Sequence, residues 1–217
     1  MRNYVITIMD NKKSVAAADR CIHSGKKTGG CVVEKWPATT PRNNLSSIII
    51  NENIEPKGLI EKYSRPDNAT AAFLSHFSLW KHCIDINEEI TILEHDAVFT
   101  NNVNSFIPHK GCLSLGHPSY GVYNKPERFG VNPLTSKVYF PGAHAYRIKP
   151  NAAKIIIEQA KIFARPTDVF LNIESFPFLE EYYPWPVQAQ DSFTTIQNKL
   201  GCQAKHNWSE RYELINA

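Results

Sequence analysis

The stretch ITILEHDAVF, residues 90 to 99, decides how the chain folds. Ile90, Thr91, Ile92 and Leu93 read as a buried strand, and Glu94, His95 and Asp96 follow it before Ala97, Val98 and Phe99 turn apolar again. Two carboxylates inside a core would be expensive to desolvate, whereas at a strand end they can face solvent or a cation. A hard divalent cation carrying a phosphorylated ligand is a natural partner, because it takes carboxylate oxygens and keeps positions open for phosphate oxygens. The same triplet also reads as a plain polar turn, with Asp96 capping the next element. Spacing alone leaves both readings open.

The neighbouring segments set the class. From Thr70, TAAFLSHFSLWKHCIDI repeats apolar residues at Phe73, Phe77, Trp80 and Ile84, the spacing of a helix with one broad buried stripe. YVITIM (4–9), LSSIII (45–50) and CLSLG (112–116) read as strands, and KVYFPGAHAYRI (137–148) as two short strands meeting at Pro141-Gly142. NAAKIIIEQAKIFA (151–164) reads as a helix capped by Asn151. The segment 21–44, rich in Gly, Lys, Thr and Pro, offers turns more readily than long elements. Strands separated by helices predict one α/β domain over residues 1–217 with a mostly parallel central sheet. In such sheets ligands bind beyond the carboxyl ends of the strands, where Glu94, His95 and Asp96 fall.

Composition narrows the function classes. The 217 residues suffice to bury a core without disulfide or metal support. No apolar run approaches the roughly 20 residues needed to cross a bilayer, and the N-terminus shows no secretory signal pattern, so the chain reads as cytoplasmic. Five scattered cysteines without a C-x-x-C pair predict reduced thiols. A formal charge of +3 suits an anionic ligand but falls short of a dedicated nucleic-acid binder. His109, Cys112 and His117 lack a fourth ligand at zinc spacing, and HSGKKTGG (23–30) lacks the order of a phosphate loop.

Four motifs in sequence carry a resemblance: AFLSHFSLW (72–80), ILEHDAVF (92–99), GAHAYRIKPNAAKII (142–156) and RPTDVFLN (165–172). Together they resemble glycosyltransferase family 25, the lipooligosaccharide sugar-transferase group. VITIMDNKKSVAAADR (5–20) looks like the family's opening strand with its downstream arginine, and PVQAQDSFTTI (186–196) like its late V-x-Q segment. The resemblance implies a GT-A (Rossmann-like) nucleotide-sugar-binding domain. It implies an inverting transfer of a hexose from a nucleotide diphosphate sugar, usually a UDP-sugar, to a hydroxyl that is by default on a lipooligosaccharide sugar. It also implies Mn²⁺ or Mg²⁺, with Glu94, His95 and Asp96 at the metal; His95 stands where the family carries a second Asp, which would shift preference toward Mn²⁺. Thr7, Asp10, Arg20, Ser75, His76, Gln190 and Asp191 fall at donor-binding positions, and His144 and Tyr146 at the acceptor.

The chemistry can be argued from residues as well. A departing nucleotide diphosphate gathers charge on its pyrophosphate, which a divalent cation stabilises as a Lewis acid. Inverting transfer also needs a general base for the acceptor hydroxyl, and Asp168 in RPTDVF is the candidate, although it could equally cap a helix starting at Val169. A histidine placed like His76 beside a buried stripe is more often a core residue than a catalyst. Two other readings stand beside the transferase: a viral-type enzyme glycosylating a hydroxymethylated base in DNA, and a metal-dependent phosphohydrolase or nuclease using the acidic triplet.

Overall fold

A computed structural model describes residues 1–60, 64–190, 193–197 and 213–217. The chain opens with strand β1 (Arg2–Thr7), helix α1 (Lys12–Ser24), a π turn at Gly25–Gly29 and strand β2 (Glu34–Pro37). Helix α2 (Leu45–Asn51) and the long helix α3 (Pro66–Asp85) lead into β3 (Ile90–Glu94), β4 (Ala97–Phe99), β5 (Cys112–Ser114) and β6 (Gly130–Pro133). Then come β7 (Ala145–Ile148), α4 (Pro150–Ile162), the short α5 (Thr167–Phe170), β8 (Leu179–Tyr183), β9 (Val187–Ala189), β10 (Phe193–Thr194) and β11 (Glu213–Leu214).

Seven strands form the central sheet in the order β2-β1-β3-β7-β5-β8-β6. The α/β class holds, but the expected mostly parallel sheet is replaced by a mixed one. β1 pairs in parallel with β2 and β3, and β5 with β8, while β7 is antiparallel to β3 and β5, and β6 to β8. The switch comes from β7, which wedges between β3 and β5 and runs against both. Alternation along the strands feeds two cores. Tyr4, Ile6, Ile90 and Ile92 face a layer built on α3 and α4, and Val5 and Leu93 face a second with Ala18 and Cys21 of α1 and Phe99.

Helix α3 is buried because its stripe is continuous: Phe73, Phe77, Trp80 and Cys83 are all excluded from solvent. Pro66 at its first turn supplies a preset φ where no backbone donor is needed. Three expectations are corrected. LSSIII is helix α2, started by Asn44, whose side chain accepts the Ser47 N–H at 3.0 Å; Ile48 and Ile49 pack on the core and Ile50 points outward. Helix α4 starts at Pro150 with Lys149 before it, so Asn151 lies inside the first turn instead of capping it. Segment 137–148 holds one strand, β7, and only a single bridge at Tyr139, because Gly142 and Ala143 both take positive φ (97° and 50°) and break the chain between them. Among the described residues no helix is long and apolar enough to cross a membrane.

Candidate functional site

Strand β3 ends at Glu94, and the chain turns through His95 and Asp96 before β4. A cleft of about 440 Å³ opens beyond that end. Its walls include Ser75 and His76 of α3, the triplet Glu94-His95-Asp96, His144 before β7, and Thr167 and Asp168 of α5. Seven residues expected from sequence at the metal, donor, acceptor or base positions therefore share one cleft: Ser75, His76, Glu94, His95, Asp96, His144 and Asp168.

A buried hydrogen-bond chain sets Glu94. Trp80 Nε1–H can only donate, and it gives its proton to Tyr146 Oη at 2.8 Å. The tyrosine hydroxyl then donates to His76 Nδ1 at 2.9 Å, which leaves the His76 proton on Nε2, 3.1 Å from Glu94 Oε1. Burial pushes the His76 imidazole down to about 3, so His76 meets Glu94 as a neutral ring. Burial first, then the charges of Asp96 and Asp168, raise the Glu94 carboxyl well above the usual range. Three acids that feel one another around one cleft are an arrangement a cation would relieve.

The triplet is held from several sides. Ser14 Oγ lies 3.0 Å from His95 Nδ1, and the ring rests 5.1 Å from Phe193. Burial lowers the His95 imidazole, against the opposing pull of Asp96. The Asp96 carbonyl accepts the Gln190 N–H at 2.9 Å, and the Glu94 N–H donates to the His144 carbonyl at 2.9 Å. The His144 ring, 2% exposed, fills a slot between two glycines: a Cβ at Gly116 would sit 2.6 Å from Nε2, and one at Gly142 3.0 Å from Nδ1. The paired positive φ values at Gly142 and Ala143 turn the chain into that slot.

Asp168 lies inside the turn of α5, whose cap is Pro166, so the helix-capping reading fails. Its Oδ1 accepts the Val169 N–H at 2.9 Å and its Oδ2 accepts the Tyr120 hydroxyl at 2.5 Å. Burial raises its carboxyl, and both hydrogen bonds pull it back down. A carboxylate with lone pairs to spare, partly shielded from water, can take a proton from a bound hydroxyl.

Other expected residues fall elsewhere. Thr7 is fully buried and donates to the Val5 carbonyl, while its neighbours Ile6 and Ile8 line the cleft, as alternation along β1 requires. Asp10 sits on the outer surface, paired with Arg42. Tyr146 is fully buried behind His76 and is not among the residues that line the cleft. Arg20 and Gln190 flank the site instead of lining it: Arg20 Nη2 donates to the Gln190 carbonyl at 2.9 Å, bracing the strand that holds Asp96. Asp191 lies outside the described residues. Sequence reasoning missed Thr39, Tyr120, Tyr139 and Thr167, which also line the cleft from segments with no periodicity.

Among the described residues no three His, Cys, Asp or Glu side chains gather closely enough to hold a metal ion by themselves. Glu94 and Asp96 are the oxygen donors of the triplet, and a hard cation there would complete its shell with phosphate oxygens and water.

Residues 38–117 match the family model for glycosyltransferase family 25 (LPS biosynthesis protein). Over this segment, 80 of the 217 residues, the chain is similar to glycosyltransferase family 25. The match supports a glycosyltransferase enzyme, and the family model's description names LPS biosynthesis. The match spans α2 through β5 and includes Ser75, His76, Glu94, His95 and Asp96, whereas Tyr120, His144 and Asp168 join the family 25 segment through the fold. No curated protein matches the chain.

Proposed function

We propose that the protein transfers a hexose from a UDP-sugar to a hydroxyl of a lipooligosaccharide sugar, with inversion, on a GT-A type scaffold. The observation that carries this reading is the meeting of Glu94, Asp96 and Asp168 in one cleft beyond the carboxyl end of β3. Glu94 and Asp96 would hold Mn²⁺ or Mg²⁺ through their carboxylate oxygens. Such an ion would supply charge stabilisation for the departing diphosphate. The Trp80–Tyr146–His76 chain keeps one Glu94 oxygen fixed, so the acid is oriented before the donor arrives. In the same cleft Asp168 accepts the proton of the acceptor hydroxyl as its oxygen attacks the anomeric carbon, and one direct displacement of the nucleotide diphosphate inverts that centre.

The test is to incubate the chain with UDP-glucose or UDP-galactose, Mn²⁺ and core oligosaccharides, reading UDP release and a one-hexose mass gain on the acceptor. Asp168→Asn should lower the transfer rate by about 10²-fold or more while donor binding persists. Transfer at the wild-type rate in this variant would contradict the assignment of the base.

A further inference from the structure

Beside Asp168 the cleft has an aromatic corner, Tyr120 and Tyr139, with Lys137 packed over it at the edge of the lining. Tyr120 and Tyr139 both line the cleft, their rings 29° from parallel with centroids 6.1 Å apart. Lys137 Nζ sits over both, 4.9 Å from the Tyr120 centroid and 5.4 Å from that of Tyr139. Lys137 makes no ion pair among the described residues, so its charge is met only by the ring faces. Gly121 has φ 69°, and a Cβ there would lie 2.8 Å from Nζ.

The corner is also rigid. Glu181, fully buried, accepts the N–H groups of Thr135 and Ser136 at 2.7 Å each, which anchors the segment leading to Lys137 and Tyr139. Ser119 Oγ donates to the Pro141 carbonyl at 3.1 Å, and Asn124 N donates to the Ser136 carbonyl at 3.0 Å, joining the Tyr120 loop to the Tyr139 loop. A preorganised corner of two rings and one cation resembles a ligand site more than a solvated lysine.

We propose that Lys137, Tyr120 and Tyr139 form the acceptor subsite and select a saccharide bearing an anionic group, a phosphate or a carboxylate. This rests on the transferase reading, which puts the acceptor hydroxyl at Asp168. The Tyr120 ring links the two ends, with its hydroxyl on Asp168 and its face under Lys137. One tyrosine ring is comparable in span to one sugar ring. The anionic group therefore belongs to the sugar that carries the reactive hydroxyl, or to its immediate neighbour.

The test uses the full chain with UDP and Mn²⁺ and measures binding of three probes by saturation-transfer NMR: glucose, glucose 6-phosphate and glucuronic acid. The anionic probes should bind roughly fivefold tighter than glucose. Lys137→Gln should erase that preference, Lys137→Arg should keep it, and Tyr139→Ala should weaken all three. Comparing the phosphate with the carboxylate arm tells which anion is preferred. A thermal shift with UDP-hexose equal to that of the wild type shows that each variant is folded with its donor site intact. Equal binding of neutral and anionic probes by the wild type, or a preference that survives Lys137→Gln, would overturn the proposal. Absence of any UDP-hexose shift in the wild type would overturn the transferase reading, and an anion preference found alongside it would then not define an acceptor site.

Discussion

If Asp168 is the base, as proposed, its hydrogen bond from Tyr120 is what tunes it. Burial holds the Asp168 carboxyl above its ordinary value, and the Tyr120 hydroxyl, 2.5 Å away, opposes that rise by favouring the charged form. Only the ionised carboxylate accepts a proton, so activity should fall as pH drops through the raised value. Tyr120→Phe removes the opposing bond and keeps the ring. The acidic limb of the kcat/KM profile should therefore move to higher pH, and a limb that stays in place would separate Tyr120 from the base. Asp168 was legible in the sequence through its motif, but Tyr120 was not. It lies in GHPSYGVYNKPERFG, where neither a period of two nor of 3.6 marks a residue, and only the fold brings it across 48 positions to Asp168.

Helix α3 couples the core to the site, and a relay joining it to β7 and β3 is where that coupling can be measured. Tyr146→Phe keeps the ring in place but strands the buried Trp80 Nε1–H and leaves His76 Nδ1 without its donor. Urea unfolding should show a loss of about 1–3 kcal/mol, and donor binding should weaken as Glu94 loses its fixed partner. An unchanged midpoint would mean the relay carries little. The sequence showed α3 plainly because its buried stripe is made of large apolar residues at helical spacing. It hid α1, whose buried face is Ser14, Ala17, Ala18 and Cys21, small residues that give weak periodic contrast. It misplaced LSSIII because three consecutive isoleucines suggest a strand, while the signal that won was the Asn44 cap one residue earlier. It could not foresee the reversed β7, since strand direction follows from connections and packing more than from local pattern.

Across the molecule, the crowded acids of the site carry a cost to stability that charge removal should reveal. Burial, Asp96 and Asp168 raise the folded-state Glu94 carboxyl above its unfolded value, so the folded chain binds that proton more tightly. Stability from this group is then present at low pH and is lost as pH rises from the ordinary carboxylate range through the raised value. Glu94→Gln keeps an oxygen for His76 Nε2–H and carries no charge. In the presence of a chelator its Tm should exceed that of the wild type at pH 8, and the gap should close toward pH 4; an equal or lower Tm at pH 8 would contradict this. The central claim is that the cleft beyond β3 takes a nucleotide sugar together with a divalent cation. It is tested most directly by thermal shift with UDP-glucose and UDP-galactose, with and without Mn²⁺, on the wild type and on Asp96→Ala. The account predicts a Mn²⁺-dependent rise in Tm with one of the two sugars that Asp96→Ala abolishes. No rise with either sugar, or a rise that persists in Asp96→Ala, would contradict it.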